Sequence, residues 1–119
     1  MQERTWAEIS LDNIEFNYRS MRAHLKDGAG FLGVVKANAY GHGAVPVAKR
    51  LETLGCDYLA VATVDEALEL RENGIKSPIL ILGYTDPRHT QALIDNDITQ
   101  SISALDMAHA MSEAASAYG

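Results

Sequence analysis

A single cysteine, Cys56, stands in a chain of 119 residues, which excludes an internal disulfide framework and fits a reducing compartment. It lies between Gly55 and Asp57, just before an apolar stretch, the setting of a small residue at the edge of a core rather than of a nucleophile. Long apolar runs are missing too. No stretch approaches the roughly 20 residues of a membrane-spanning helix. Asp12, Glu15 and Arg19 interrupt the region where a signal peptide would need its apolar segment. Basic runs are equally absent, and the net charge is -6. That balance argues against electrostatic binding to nucleic acid or to an anionic membrane. No dinucleotide-binding glycine fingerprint or Walker loop occurs. His24, His89 and His109 fall at no metal-ligand spacing and read as surface or partly buried helix residues, so no metal site is expected. A soluble, cytoplasmic protein is the expectation these absences leave.

What is present is a patterned globular sequence, 47% hydrophobic, enough to exclude a disordered chain. Residues 5–11 alternate polar and apolar, the period of a half-buried strand. Asp12 reads as a helix N-cap with Glu15 as its capping-box partner. Ile14, Tyr18, Met21 and Leu25 then follow at helical spacing, and Gly28 and Gly30 close the unit. From Phe31 the pattern repeats. Apolar runs at 31–35, 58–62 and 78–82 have the character of strands covered on both faces, and 98–102 is a weaker fourth. Helices are expected between and after them. One runs from Val45 to Leu54, with Pro46 in its first turn and Gly55 beyond its end. A second is opened by a Thr63–Glu66 capping box and closed by Gly74. A third starts at Asp86-Pro87, and a last is opened by Ser103 and runs towards Tyr118. In the last helix Met107 and Met111, at i and i+4, read as a core stripe. Asp65 and Glu66 begin the second of these helices, where capping and the macrodipole account for them without catalysis. Four strands alternating with four helices imply an α/β fold with a parallel sheet and right-handed crossovers. It would be either a doubly wound sheet or a (β/α)8 barrel.

The chemistry concentrates in Val34-Val35-Lys36-Ala37-Asn38-Ala39-Tyr40-Gly41-His42-Gly43. Lys36 stands at the carboxyl end of an apolar strand, the face where side chains enter the site of a parallel α/β fold. Charge on an amine among apolar walls is costly, and a neutral amine is what an aldehyde cofactor requires. Gly41 and Gly43 allow close backbone approach, and the Tyr40 hydroxyl could reach a phosphate. His42 reads as a hydrogen-bonding residue of the turn. The bland alternative for Lys36 is a side chain that snorkels from a strand end to solvent, and spacing alone does not displace it.

The motif does. Residues 34–43 resemble, without a gap, the pyridoxal-phosphate attachment motif of alanine racemases. Arg4 to Tyr18 is similar to that family's opening strand and helix, and 60–83 to its second and third barrel units; the similarity weakens after about Gln100. The resemblance implies pyridoxal 5'-phosphate held by Lys36 as a Schiff base, with Lys36 then acting as one of two bases flanking the α-carbon. It implies Tyr40 on the cofactor phosphate and Leu82 as an apolar neighbour of the cofactor. It also implies a second base, a tyrosine from the partner subunit's carboxyl-terminal domain, and an arginine on the pyridine nitrogen from a later strand; neither has a matching motif here.

A complete barrel of this type needs about 250 residues, so residues 1–119 read as the amino-terminal part of a (β/α)8 pyridoxal-phosphate-binding barrel. The rest of the barrel and a carboxyl-terminal β-domain, to which strand 5–11 would belong, would lie elsewhere. A half barrel leaves sheet edges and part of its helix layer uncovered, which invites self-association, and alone it is expected to be weakly active or inactive. The activity implied for the intact protein is interconversion of L- and D-alanine by a cytoplasmic homodimer, providing D-alanine for peptidoglycan. Serine as a second substrate is a close variant. A non-catalytic pyridoxal-phosphate carrier on the same barrel is a different class, and its sequence after the lysine differs from Ala-Asn-Ala-Tyr-Gly-His-Gly. A folding or interaction segment with no cofactor is the third reading.

Overall fold

A computed structural model describes residues 4–119. Four strands pair in parallel in the order β1-β2-β3-β4: β1 Leu32–Val34, β2 Tyr58–Val61, β3 Ile79–Ile81 and β4 Ile98–Gln100. Helix α1 (Leu11–Ala23) precedes them; α2 (Ala44–Thr53), α3 (Val64–Glu72), α4 (Thr90–Asp95) and α5 (Leu105–Tyr118) follow one strand each, α4 entered through a 3-10 turn at Pro87–His89. Strand order that never reverses, with every right-handed crossover on one side, is the winding of a barrel and not of a doubly wound sheet. The fold is about half of a (β/α)8 barrel. Its radius of gyration is 16.5 Å and its extents are 49 × 48 × 24 Å, a shell rather than a ball; a compact domain of this length would have roughly 13.5 Å.

The core lies between sheet and helices. Val35, Leu59, Val61, Leu70, Ile75, Ile79 and Ile81 are its largest fully buried side chains, with Met107 and Met111 of α5 added as the i, i+4 stripe requires. On this side Gly33 lets α2 approach β1: a Cβ there would lie 2.8 Å from Leu51 Cδ1. No helix covers the opposite side of the sheet, although Ala60 in its middle is fully buried. The row Val34–Ala60–Leu80–Thr99 runs across it, and Leu32 and Val34 are 41% and 38% exposed. The expectation of strands covered on both faces is therefore corrected for β1. Alternate residues of a strand point to opposite faces, and helices cover one face only.

Caps and turns match the sequence where their partners are local. Thr63 and Glu66 form the reciprocal capping box of α3, Asp86 accepts from Arg88 N with Pro87 following it, and Gly55 and Gly74 take φ +81° and +86° just past their helices. At the amino end the expectation fails. Residues 5–10 form no strand, because no neighbouring strand pairs with them, and α1 begins at Leu11. Ser10, not Asp12, is its N-cap, accepting from Asn13 N at 3.2 Å. Asp12 and Glu15 turn instead to Arg50 of α2, at 3.0 and 2.9 Å. Of the expected apolar face only Tyr18 is buried and Ile14 is half-buried; Met21 is exposed, as is Leu25, which lies beyond the end of α1. The last helix opens one residue later than expected, with Ala104 as its N-cap. Among the described residues no helix is long and apolar enough to cross a membrane.

Candidate functional site

The site is built where β1 ends. Val35 N still donates to Ala60 O of β2 at 2.9 Å, and the Val35 side chain is buried. The chain then coils through Lys36–Tyr40 in one turn of the wrong hand. Ala37, Asn38, Ala39 and Tyr40 have φ of 51°, 54°, 53° and 56°, a left-handed region that L-residues with a Cβ visit singly, not four in succession. Gly41 and Gly43 continue at positive φ. The sequence pointed to the two glycines for close backbone approach; the four non-glycine residues before them share the positive φ.

Such a run persists only where its surroundings over-determine it. Ala39 N donates to Val35 O, His42 N to Ala39 O and Gly43 N to Asn38 O, all at 2.9–3.0 Å. Asn38 Oδ1 accepts from Ala44 N at 2.9 Å, which supplies the first turn of α2 with the side-chain cap that Gly43 cannot give. His42 Nδ1 donates to Ala39 O at 2.9 Å, the turn-holding role expected of it. Ala39 is buried. Finally Ala37 N donates to Glu66 Oε2 of α3 at 2.6 Å.

Lys36 is half-buried at the mouth of this turn. Its amine forms no ion pair or hydrogen bond among the described residues. Tyr40, at the far end of the turn, is 63% exposed, and Leu82, one residue past β3, is 43% exposed. All three stand at the carboxyl end of the sheet. Lys36 follows β1 and Leu82 follows β3, two strand spacings or roughly 10 Å away. Gly83 then brings β3 against β2: a Cβ on it would lie 2.4 Å from the backbone oxygen of Ala62. Cys56 sits behind the sheet, buried, its thiol weakly bonded to Tyr58 O and Phe31 O. Burial pushes its pKa up, so it is a packing residue, as its position suggested. Sequence reasoning missed two groups, Asn38 and Glu66. Asn is a residue that tolerates the left-handed region, which was a usable signal; Glu66 meets Ala37 across 29 positions and left none.

Comparison with known proteins agrees with this architecture. Residues 9–119 match the model of the alanine racemase N-terminal domain family. An alanine racemase from Desulfovibrio desulfuricans is 46% identical over 114 residues, 96% of this chain and 31% of that protein. The solved structure of an alanine racemase from Clostridium difficile superposes with TM-score 0.93 at 47% identity, covering all of this chain and 31% of that one. A histidine racemase from Leuconostoc mesenteroides superposes at 0.83 with 31% identity, over 93% of this chain and 30% of that one. The chain thus spans about a third of the length of these relatives. On sequence, fold and strand order together, it belongs to the alanine racemase N-terminal domain family.

Proposed function

We propose that this chain is the cofactor-binding part of a pyridoxal-phosphate-dependent amino-acid racemase, an isomerase, with alanine as substrate. The observation that carries the reading is Lys36: an amine with no partner among the described residues, set on the sheet face that no helix covers, at the head of a left-handed turn held by Asn38, His42 and Glu66. The residues suit the cofactor chemically. A primary amine suits its aldehyde, the exposed Tyr40 phenol suits a phosphate oxygen, and Leu82 supplies an apolar wall.

Pyridoxal phosphate, when bound, supplies an electron sink for the carbanion left by proton removal. Lys36 would hold the cofactor through its aldehyde, and its amine would take or return the proton at one face of the substrate α-carbon. Tyr40 would donate its hydroxyl hydrogen to the cofactor phosphate, and Leu82 would help exclude water from the bound cofactor. Racemisation needs a second base on the opposite face; family resemblance assigns it to a tyrosine of a partner subunit, which makes the working enzyme a homodimer. The same resemblance supports a cytoplasmic enzyme that provides D-alanine for peptidoglycan. Alanine is favoured by the names of most relatives, while the histidine racemase shows that a similar barrel segment occurs in a protein acting on another amino acid.

The test is to mix the chain with pyridoxal phosphate, reduce with borohydride and locate adducts by mass spectrometry. A single adduct on Lys36, absent from Lys36→Ala, is expected. Equal labelling of Lys26, Lys49 and Lys76 would show that the strand-end lysine has no special disposition towards the cofactor.

A further inference from the structure

Resting on that reading of Lys36, we propose that Glu66 is a positioning residue for the cofactor lysine, a role beyond capping its own helix. Its two carboxylate oxygens are divided between two tasks. Oε1 serves α3: it accepts from Ala62 N at 3.0 Å, Thr63 N at 3.1 Å and the Thr63 hydroxyl at 3.3 Å. Oε2 crosses to the neighbouring βα turn and accepts from Ala37 N at 2.6 Å. A capping box asks for one oxygen, and glutamine supplies it as well as glutamate. The second oxygen has no use in the cap.

Ala37 is the residue after Lys36 and the first of the four left-handed residues. The peptide that joins them carries the ψ of Lys36 and the φ of Ala37, so fixing its N–H fixes the angle at which the lysine leaves the strand. A bond from a backbone N–H to an ionised carboxylate is of the stronger, charge-assisted kind. It is the one side-chain bond to the first residue of the turn among the described residues, and it ties β1's lysine to the start of the helix after β2. Thermal rotation of that peptide would otherwise swing Nζ, four bonds beyond Cβ, over several ångströms.

Glu66→Gln separates the two tasks. Its single amide oxygen can satisfy the cap, which turns the amide NH2 towards Ala37 N–H, donor against donor. Thr63→Ala is the complementary control: it weakens the cap but leaves Glu66 held by three backbone N–H groups, those of Ala62, residue 63 and Ala37. The full chain and both variants are compared in three ways: thermal midpoint, exchange of the Ala37 amide by nuclear magnetic resonance without cofactor, and rate of borohydride-trapped pyridoxal-phosphate adduct at Lys36. Glu66→Gln is expected to keep a midpoint near the parent's, while Ala37 exchange quickens and Lys36 labelling slows, each roughly ten-fold or more. Thr63→Ala is expected to lower the midpoint and leave the other two readouts within about two-fold. Unchanged exchange and labelling in Glu66→Gln would overturn the proposal, as would equal slowing in Thr63→Ala. If the parent itself gives no adduct at Lys36, the cofactor reading fails separately. Ala37 exchange and acylation of Lys36 by a small activated ester, neither needing the cofactor, then still decide the role of Glu66.

Discussion

Ala37 to Tyr40 hold φ between 51° and 56°, and each such residue with a Cβ costs on the order of 1 kcal/mol or more. A strain of that size next to Lys36 needs the hydrogen bonds of Asn38, His42 and Glu66 to maintain it. Ala37 is exposed, so changes there test the backbone and little else. Ala37→Gly removes the Cβ conflict and is expected to keep or slightly raise the thermal midpoint. Ala37→Val puts a β-branched side chain at positive φ and is expected to cost roughly 1–3 kcal/mol. Urea unfolding of the two variants checks this, and equal stabilities would mean that the turn relaxes in solution. Lys36 and Tyr40 were legible in the sequence because a ten-residue motif marks them. The hand of the turn was not, since alanine has no preference for positive φ and is held there by groups elsewhere in the chain.

At the scale of elements, the same division decides which caps could be read. Thr63 and Glu66 are three residues apart and satisfy each other within one turn, so their pattern suffices. Asp12 and Glu15 show the same spacing, yet Arg50, 38 and 35 positions away, draws both carboxylates to α2, and Ser10 takes the cap. Residues 5–10 have the alternation of a strand and form none, because a strand exists only through a neighbour's hydrogen bonds. Close approach of two elements is likewise a property of neither alone. Gly83 lies where a Cβ would meet the Ala62 carbonyl at 2.4 Å, and backbone cannot step aside as a side chain can. Gly83→Ala is therefore expected to destabilise by about 1–3 kcal/mol, and to disturb Gln100, whose side-chain N–H donates to Gly83 O. A melting curve that matches the parent's would show that β2 and β3 separate without cost.

Across the whole molecule, carboxylates, the half-buried Glu52 and the exposed Asp57 among them, join elements that are distant in sequence. Burial pushes Glu52 of α2 up, but hydrogen bonds from Ser77 Oγ and the backbone N–H groups of Ser77 and Lys76, with the charge of Arg71, hold it below the ordinary carboxylate value. The Arg22 guanidinium and Phe31 N–H lower Asp57 in the same way. A folded pKa below the unfolded one binds fewer protons in the native state. Its stabilisation is therefore complete above the ordinary carboxylate range near 4 and is lost as pH falls through the depressed folded value. Stability should fall from about pH 5 downward. Glu52→Gln should be less stable at neutral pH and show a shallower acid limb in urea titrations at pH 7, 5, 4 and 3. An acid limb as steep as the parent's would assign the loss to other groups.

The sequence by itself determined the βα alternation, the parallel sheet, most helix ends and the lysine at the end of β1 as the candidate site residue. These follow from apolar periodicity, from caps whose partners lie within a turn, and from one long motif. Only the tertiary structure decided which sheet face stays open, that residues 5–10 pair with nothing, that the lysine turn is left-handed, and that Glu66 reaches Ala37. Each of these depends on which groups meet across tens of residues, and no local spacing encodes the direction of a side chain towards a partner that folding alone brings near.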